Sequence, residues 1–341
     1  MKRIISVILI QILICVLFAG CNSTAEAPQS ITIGGIAYYT NAEEIEIKDV
    51  SLSDISALKE CKNLTSLTLV GCELTDISIL SEVTSLRSLD LHNNKISDIS
   101  ALSGLGKLYS LSLSNNKISD ISALSQLTSL EQLDIGKNEI DDLSPLSGMT
   151  KLELLYADET GIEDISPLAG LTKLQELYIG GNKITDISAL ESLKDVTVLD
   201  LYSNNISKVE PLMGMTSLTA LYIGNNEKLS DTKTLSELST LEILCAENTA
   251  ITDVTPLRKL KKLSELMLTN DKVSDISPIK DMSALKKLNL EGNYEITESS
   301  IEELQKVLPD CEIKHSELKP DTETDTDTNS KKDNKLLESR P

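Results

Sequence analysis

Residues 86–107 read LRSLDLHNNKISDISALSGLGK, and residues 108–129 repeat the pattern as LYSLSLSNNKISDISALSQLTS. Each stretch is one unit of 22 residues with aliphatic side chains at positions 1, 4, 6, 11, 14, 17 and 20. Related units continue in both directions, with one residue inserted near Glu227 and Lys228, and together they span residues 42–297. Twelve units in one register predict a repeat architecture, because chance composition does not maintain such a period.

The spacing of the aliphatic residues within one unit predicts its local structure. Positions 4 and 6 alternate with polar neighbours, as in Leu89-Asp90-Leu91, which is typical of a short strand with one buried face. Positions 11, 14, 17 and 20 advance by three, which favours a tight 3₁₀-like turn rather than an amphipathic α-helix. Strands on one side and compact turns on the other bend the stack, so we expect the strands to line its concave side.

Two polar positions recur in the unit. A side-chain amide buried at position 9 is expected to bond backbone groups of its own and the adjacent unit. An Asp at position 13 is interpreted as a cap on the free N–H groups of the following turn, with a calcium ladder as the alternative. Position 9 is occupied by Asn94, Asn116, Asn138, Asn182, Asn204, Asn226 and Asn293, and by Cys72, Thr160 and Thr249. Position 13 is occupied by Asp54, Asp76, Asp98, Asp120, Asp142, Asp164, Asp186, Asp231, Asp253 and Asp275.

The pattern LxxLxLxxNxIxxIxxL, found from residue 42 to about residue 308, resembles the leucine-rich-repeat family. Its SDIS-Ala/Pro-Leu segment resembles the bacterial internalin-like class. The resemblance implies an α/β-type repeat solenoid: a right-handed arc with a parallel β-sheet on the concave face and short 3₁₀ turns on the convex face. It also implies a protein that binds partners, usually other proteins, on the concave face, and we expect no enzymatic activity, cofactor or metal.

The sequence on either side of the repeats predicts caps and a tail. Residues 31–41 alternate around a Gly-Gly pair, which predicts a β-hairpin that shields the first unit. Residues 298–315 combine helical spacing with a short strand near 311–313, and so predict a C-terminal cap, as solenoids require for solubility. The polar residues 316–341 cannot bury a core and are predicted to form a disordered tail.

The N-terminus predicts export. A basic start precedes a largely apolar run that is too short to span a bilayer, and Cys21 follows two small residues. This ending resembles the lipobox of bacterial lipoproteins, which implies a signal peptide at residues 1–20, lipidation of Cys21 and a tether over residues 21–30. The expected location is outside the cytoplasm, anchored by lipid to the bacterial membrane or cell surface. An ordinary cleaved signal with a coincidental cysteine is the alternative.

The charge of the chain excludes some classes of partner. There are 53 Asp and Glu against 32 Lys and Arg, for a net charge of −21. Nucleic-acid binding depends on Lys and Arg that neutralise phosphates, so we expect no nucleic-acid partner. Adhesion to anionic lipid by a basic patch is equally disfavoured, which leaves the lipid anchor as the expected contact with the membrane.

Positions 3, 5 and 7 of each unit face outward on the concave side and contain the candidate binding residues. Tyrosines occur there only in units six to nine, among exposed apolar side chains, and such clusters usually mark an interaction site. From the third to the eleventh unit these positions hold seven acidic residues and no Lys or Arg, so the expected partner has a basic rim. The predicted contact residues are Tyr156, Tyr178, Tyr202, Tyr222, Leu154, Val198, Asp158, Glu176, Asp200, Ile243, Glu247 and Met267, and Ala220 is expected to point outward beside them.

Several alternatives remain open. Tyr favours strands in general, so the tyrosines have a purely structural interpretation. The solenoid could be a structural spacer of the envelope, or its ligand could be a glycan rather than a protein from the host or from the organism itself. A remote alternative is a hydrolase in which His92 acts with Asp90 and with Ser112 or Ser114 on the next strand.

Overall fold

The computed structural model describes residues 29–320. The predicted signal peptide, Cys21 and the first part of the tether lie outside these residues, as does the predicted tail from residue 321. Thirteen parallel strands, β3 to β15, form one sheet whose spatial order follows the chain, and β1 and β2 form a separate antiparallel hairpin. The predicted leucine-rich-repeat solenoid is confirmed.

Each strand of the large sheet is short because it belongs to one coil of the solenoid. Most contain three residues and begin at position 3 of their unit, as the alternation of aliphatic residues predicts. The strands are β1 (Ser30–Ile33), β2 (Ile36–Tyr39), β3 (Glu44–Lys48), β4 (Ser66–Val70), β5 (Ser88–Asp90), β6 (Ser110–Ser112), β7 (Gln132–Asp134), β8 (Leu154–Tyr156), β9 (Glu176–Tyr178), β10 (Val198–Asp200), β11 (Ala220–Tyr222), β12 (Ile243–Cys245), β13 (Glu265–Met267), β14 (Lys287–Asn289) and β15 (Glu312–Lys314).

The aliphatic positions of all units form one continuous core. In the third unit, for example, Leu89, Leu91 and Ile96 are each no more than 1% exposed. The core extends along the stack from Ile33 in the hairpin to Cys311 near the last strand. Each unit therefore covers the apolar edge of its neighbour, and burial of these side chains favours the stack as a whole.

The turns on the convex side are 3₁₀ helices, as their spacing predicts. In nine of the ten, an Asp at position 13 accepts a hydrogen bond from the backbone N–H two residues later; the Ser100 N to Asp98 Oδ1 distance is 2.8 Å. The exception is Glu210–Gly214, where position 13 is Lys208. The bond from the Ser100 N–H and that of the Ser100 hydroxyl hold the pKa of Asp98 below its usual value, which agrees with the capping role. The turns are Ser56–Glu60, Ser78–Glu82, Ser100–Leu102, Ser122–Gln126, Ser144–Leu146, Ser166–Gly170, Ser188–Ser192, Glu210–Gly214, Thr255–Lys259 and Ser277–Asp281.

One unit departs from this pattern where the extra residue is inserted. Its convex turn is a short α-helix, α1 (Thr232–Leu235), instead of a 3₁₀ turn. Asp231 still caps it, because its carboxylate accepts a hydrogen bond of 3.0 Å from the Thr234 N–H.

The asparagines at position 9 join consecutive units. Asn204 is 6% exposed, and its Nδ2 donates to the carbonyl oxygens of Ile179 in the preceding unit and Leu201 in its own, at 3.0 and 3.1 Å. Its Oδ1 accepts the N–H of Ile184 at 3.0 Å. A single amide thus satisfies backbone groups that neither strand ladder nor solvent reaches, as the sequence predicts.

Position 8 of each unit has a left-handed backbone, which turns the chain sharply after the strand. Gly or Asn fills this position in most units, as expected for residues that tolerate positive φ. Lys137 (φ 54°), Glu159 (φ 53°) and Ser203 (φ 52°) are exceptions that adopt the conformation at an energetic cost.

The two ends of the sheet are covered by different elements. At the N-terminal end, β1 and β2 pair around Gly34 and Gly35, and Ile33 joins the core. At the C-terminal end, helix α2 (Glu298–Val307) buries Ile301 and Leu304 and is followed by β15. In the described part of the chain, no helix is both long enough and apolar enough to cross a membrane.

The first residues of the predicted tail are part of the folded domain. Lys319 forms a parallel bridge with Thr297 and donates its N–H to the Ile296 carbonyl at 2.9 Å, while Leu318 packs against the core. The prediction that the polar tail begins at residue 316 is therefore wrong, because these backbone groups close the last coil.

We predict that Asn204→Ala lowers the free energy of unfolding by about 3 kcal/mol, since it leaves two buried carbonyls and one buried N–H without this partner. Urea denaturation measures the change. Asn205→Ala is the matched control, because Asn205 is the exposed neighbour, and it should cost no more than about 0.5 kcal/mol. Equal losses in the two variants would contradict the role given to the buried amide.

Lys137→Gly is predicted to raise the free energy of unfolding by about 0.5 to 1 kcal/mol, because glycine adopts positive φ without the clash of a Cβ. Lys117→Gly is the control variant, because Lys117 is also exposed but does not have a positive φ. There the greater freedom of glycine in the unfolded chain should lower stability by about 0.5 kcal/mol. The urea midpoints of the two variants should therefore move in opposite directions.

Candidate functional site

The strand register arranges the outward positions of units six to eleven in three parallel rows, which we call the concave strip. The first row, at position 3, contains Leu154, Glu176, Val198, Ala220, Ile243 and Glu265. The second, at position 5, contains Tyr156, Tyr178, Asp200, Tyr222, Cys245 and Met267. The third, at position 7, contains Asp158, Gly180, Tyr202, Gly224, Glu247 and Thr269. Neighbours within a row lie about 4.8 Å apart, the spacing of adjacent strands.

Two tyrosines in the second row form the aromatic centre of the strip. The rings of Tyr156 and Tyr178 are stacked, with centroids 4.4 Å apart and planes inclined by 11°. The Tyr178 hydroxyl donates to Glu176 Oε2 at 2.9 Å. Burial, together with the Glu176 carboxylate, raises the pKa of Tyr178 above its ordinary value. Both rings remain partly exposed, so the pair presents a rigid apolar surface with one polar edge.

The other two tyrosines extend the aromatic surface toward the C-terminal end of the stack. Tyr222 lies in register between Asp200 and Cys245, and burial raises the pKa of its hydroxyl. In the third row, the Tyr202 hydroxyl accepts a hydrogen bond of 2.7 Å from Asn225 Nδ2. Both side chains are partly exposed and thus accessible to a partner.

Apolar side chains surround the tyrosines. Leu154, Val198, Ile243 and Met267 are all partly exposed. Ala220 faces the same side but is only 6% exposed. Ala220 thus points outward, as expected, but its small side chain adds little accessible surface.

Glycines at position 7 leave space that the carboxylates of the following unit occupy. A Cβ on Gly136 would come within 2.7 Å of Asp158 Oδ1, and one on Gly224 within 2.8 Å of the Glu247 carboxyl carbon. The pairs arranged in this way are Gly136 with Asp158, Gly180 with Asp200, and Gly224 with Glu247. A side chain at these positions would therefore collide with the carboxylates, which occupy the space above the glycines.

These carboxylates are partly removed from water. Burial raises the pKa values of Asp158 and Asp200 above the ordinary value for Asp. Glu247 has one carboxylate oxygen that is buried without a hydrogen-bond partner. The only ion pair formed by a carboxylate of the strip in the described residues joins Glu265 to Lys287 of the last unit, at 2.7 Å. The negative charge of the strip is thus largely uncompensated within this part of the chain.

Cys245 is the one thiol on the strip. Burial, followed by the fields of Glu247 and Glu265, raises its pKa to about 12. The group is therefore a neutral thiol at physiological pH, which makes it a poor nucleophile and a weakly polar element of the surface.

The set of residues proposed for a hydrolase does not assemble. His92 Nδ1 lies 2.7 Å from Asp90 Oδ1, as the sequence suggested. The hydroxyls of Ser112 and Ser114, however, donate to Asp134 at 3.2 and 2.7 Å rather than to His92. The histidine is therefore oriented by a carboxylate but has neither of these serines as a hydrogen-bonded nucleophile.

Sequence reasoning missed one buried acid behind the strip. Asp271 occupies position 9 of the eleventh unit, where most units have Asn, and is 1% exposed. Burial raises its pKa to about 6. The register that identifies the asparagines also predicts this residue, since position 9 of the eleventh unit falls at 271.

Comparison with known proteins agrees with this architecture. A family model for two copies of the leucine-rich repeat matches residues 62–104, 84–126, 107–148 and 150–192. A second leucine-rich-repeat model matches residues 172–229. A search among curated protein sequences gives no match.

Solved structures give a closer likeness. An internalin, inlF, of Listeria monocytogenes is 33% identical with a TM-score of 0.80, and the match covers 84% of this chain and 85% of that one. Internalin C2 of the same species is 31% identical with a TM-score of 0.51, over 61% of this chain and 82% of that one. A leucine-rich-repeat protein of Leptospira interrogans shares the fold, at 21% identity, with a TM-score of 0.55 over 80% and 90% of the two chains. By its repeat pattern, its parallel sheet and its likeness to inlF, the chain belongs to the internalin-like leucine-rich-repeat proteins.

Proposed function

We propose that this is an extracytoplasmic recognition protein whose concave strip binds another protein. The observation that carries the proposal is the stacked pair of Tyr156 and Tyr178, partly exposed and surrounded by apolar side chains and carboxylates. Tyrosine is among the residues that contribute most to binding energy at protein interfaces, because it buries a large area at low cost in conformational entropy. The fold of the chain is one that commonly serves protein binding.

The charge of the strip restricts the partner. Asp158, Asp200 and Glu247 lie beside the tyrosines and lack a Lys or Arg partner in ion pairs of the described residues. A partner with an apolar centre and a rim of Lys or Arg would bury the rings and neutralise the carboxylates. Its association should slow as the salt concentration rises, since screening weakens the attraction between the two surfaces.

The shape of the strip favours a protein over a small molecule. The strip is an open sheet face, and a cavity at its C-terminal end, between Met267 and Lys287, has a volume of about 60 Å³. Pockets for small molecules usually have several hundred Å³ and enclose most of the ligand. A shallow strip of this kind instead suits a broad protein surface.

The proposed location rests on the N-terminal sequence. The apolar leader and the small residues before Cys21 support export, cleavage after residue 20 and lipidation of Cys21. A lipid anchor would hold the solenoid at the outer side of the membrane and leave the concave strip accessible. A single acyl chain binds membranes weakly, so stable anchoring at Cys21 would require more than one chain or a second membrane contact.

We predict that the triple substitution Tyr156→Ser, Tyr178→Ser and Tyr222→Ser weakens partner binding at least about 30-fold, corresponding to the loss of about 2 kcal/mol that defines an interface hot spot. The core side chains are unchanged, so the variant should remain folded. The partner is first captured from envelope and host extracts with the wild-type domain, and its affinity for both proteins is then measured in purified form.

Tyr109→Ser and Tyr294→Ser together form the matched control. These two tyrosines lie off the concave strip and are 44% and 66% exposed. Their replacement removes exposed aromatic surface without changing the strip, and binding should be retained. If the triple variant binds as well as the wild type, the strip is not the binding surface, and a role as spacer becomes the better explanation.

Cys21→Ser should release the protein from membranes, because the substitution removes the sulfur that would carry the lipid. The measurement is the distribution of the full-length protein between the membrane and soluble fractions of the producing bacterium. Cys15→Ser is the control, since Cys15 lies within the predicted signal peptide and its replacement should leave the distribution unchanged. A Cys21→Ser variant that stays with the membrane would contradict the lipoprotein assignment.

A further inference from the structure

The row of asparagines at position 9 contains one acidic residue whose chemistry differs from that of its equivalents. Asp271 is 1% exposed, and its Oδ2 is buried without a hydrogen-bond partner. Its Oδ1 accepts the N–H and the hydroxyl of Thr249 at 2.6 and 2.8 Å. Asp271 Oδ1 is therefore hydrogen-bonded in the same way as the amide oxygen of the asparagines, whereas Oδ2, which takes the place of the amide nitrogen, has no partner.

The sixth and seventh units contain the matching arrangement with an amide. Asn182 Oδ1 accepts the N–H and the hydroxyl of Thr160 at 3.1 and 3.0 Å. Its Nδ2 donates to the carbonyl oxygens of Ala157 and Gly180, which are 25 and two residues earlier in the chain, at 2.9 and 3.2 Å. The pair of Thr160 and Asn182 is thus the amide counterpart of the pair of Thr249 and Asp271.

The carbonyl oxygens 25 and two residues before position 9 also face this position in the second unit, where the residue is Cys72 and not Asn. Cys72 is followed by a residue with positive φ, as is Asp271, and its thiol donates to the carbonyl oxygens of Ile47 and Val70 at 3.5 and 3.4 Å. These acceptors are again 25 and two residues earlier. The corresponding carbonyls for Asp271 belong to Ala246 and Thr269. A carboxylate directed at carbonyl oxygens has nothing to donate, and its charge is repelled.

We propose that Asp271 holds a proton on Oδ2 and so replaces an asparagine in the row, which makes the joint between the tenth and eleventh units sensitive to pH. The protonated carboxyl group donates to a main-chain carbonyl as Asn182 does. Loss of the proton leaves a buried charge against carbonyl oxygens and weakens the contact between the two units. This inference is independent of the partner-binding role of the concave strip.

The groups around Asp271 support the neutral form. Burial raises the pKa of Asp271 most, and the field of Glu247 in the preceding unit raises it further. The two hydrogen bonds that Thr249 donates to Oδ1 act in the opposite direction, and the resulting pKa is about 6. From the following unit, Asn293 Oδ1 accepts the Asp271 N–H at 3.2 Å. The flanking charges Lys272 and Glu291 are exposed. Within residues 29–320, no cationic side chain stabilises the ionised form of the Asp271 carboxyl group.

A metal ion fits this place less well than a proton. Calcium requires six to eight oxygen ligands at about 2.3 to 2.6 Å. In the equivalent units, the atom at the tip of the side chain already lies within hydrogen-bond distance of the carbonyls, so an ion would have no room between them. Within residues 29–320 no group of three or more His, Cys, Asp or Glu side chains could hold a metal.

The direction of the pH effect follows from the raised pKa. The stabilisation by the proton is complete below the pKa of an unfolded Asp, about 3.8, and is lost as the pH rises through about 6. The relevant window is therefore mildly acidic to neutral. Above it, the wild-type protein is weaker at this joint than a protein with Asn at the same place.

The test compares the wild type with Asp271→Asn by urea denaturation from about pH 4 to about pH 8. The ratio of their unfolding constants should increase by up to roughly a hundredfold across this range, with the variant more stable at the upper end. Asn182→Asp is the matched control, because Thr160 reproduces the surroundings of Asp271; it should acquire a similar loss of stability above its own raised pKa. Carboxyl ¹³C NMR of Asp271 should titrate near pH 6.

Three outcomes would overturn the proposal. The first is a ratio for Asp271→Asn that stays constant with pH, and the second is a carboxyl resonance that titrates near pH 4 as in an unfolded chain. The third is a result in which calcium chloride at about pH 8 stabilises the wild type but not Asp271→Asn. That result would show that the site binds a cation. Should Asp271→Asn not fold, the NMR titration and the Asn182→Asp variant still decide the question.

Discussion

The structure depends on the constraint that no unit can satisfy itself. The aliphatic side chains of one coil are covered by the next, and the buried amide at position 9 bonds carbonyls and N–H groups of two units at once, as Asn204 does. A coil alone would expose its apolar edge and leave those backbone groups without partners. Successive coils are therefore held in one register, and the outward positions of their strands form straight rows.

The chemistry of the concave strip follows from these rows. Since adjacent strands lie about 4.8 Å apart, side chains at the same position touch across units, and the rings of Tyr156 and Tyr178 stack. Where position 7 is glycine, as at Gly136 and Gly224, the acidic side chain of the following unit bends over it. The strip is thus an open surface in which aromatic rings and carboxylates lie in adjacent rows. Such a surface can be covered well by a broad partner but encloses little volume.

Most of the fold could be predicted from the sequence because the same pattern of residues occurs in twelve successive units. A strand beginning at position 3, a 3₁₀ turn beyond position 13 and an amide at position 9 each recur, so a local ambiguity in one unit is settled by the others. The ends lack such repetition, which is why the role of Leu318 and Lys319 in closing the last coil was not foreseen. The α-helix at Thr232–Leu235 is likewise a single event, in the one unit that contains an inserted residue.

The sequence predicted which residues face the concave side but not how their side chains interact. Alternation alone places Ser112, Ser114 and Asp134 outward, yet only coordinates show that both hydroxyls bond the carboxylate instead of His92. Similarly, alternation predicts that Ala220 points outward but not that it is only 6% exposed. Rotamers and relative side-chain lengths decide these contacts, and a pattern of residue types does not encode them.

The distribution of tyrosine along the sheet differs from what a general preference for β-structure would give. Tyr is favoured in strands wherever it can pack on a pleated surface, so that preference acts equally on every coil. The strands of the third to fifth units nevertheless have only polar side chains at their outward positions, namely Ser88, Asp90, Ser110, Ser112, Gln132 and Asp134. The sixth to eighth units, which contain Tyr156, Tyr178 and Tyr202, have the same succession of short strand and 3₁₀ turn as these coils, so their folding places no different demand on the outward positions. The restriction of tyrosine to one stretch of the sheet therefore supports the proposed contact with a partner.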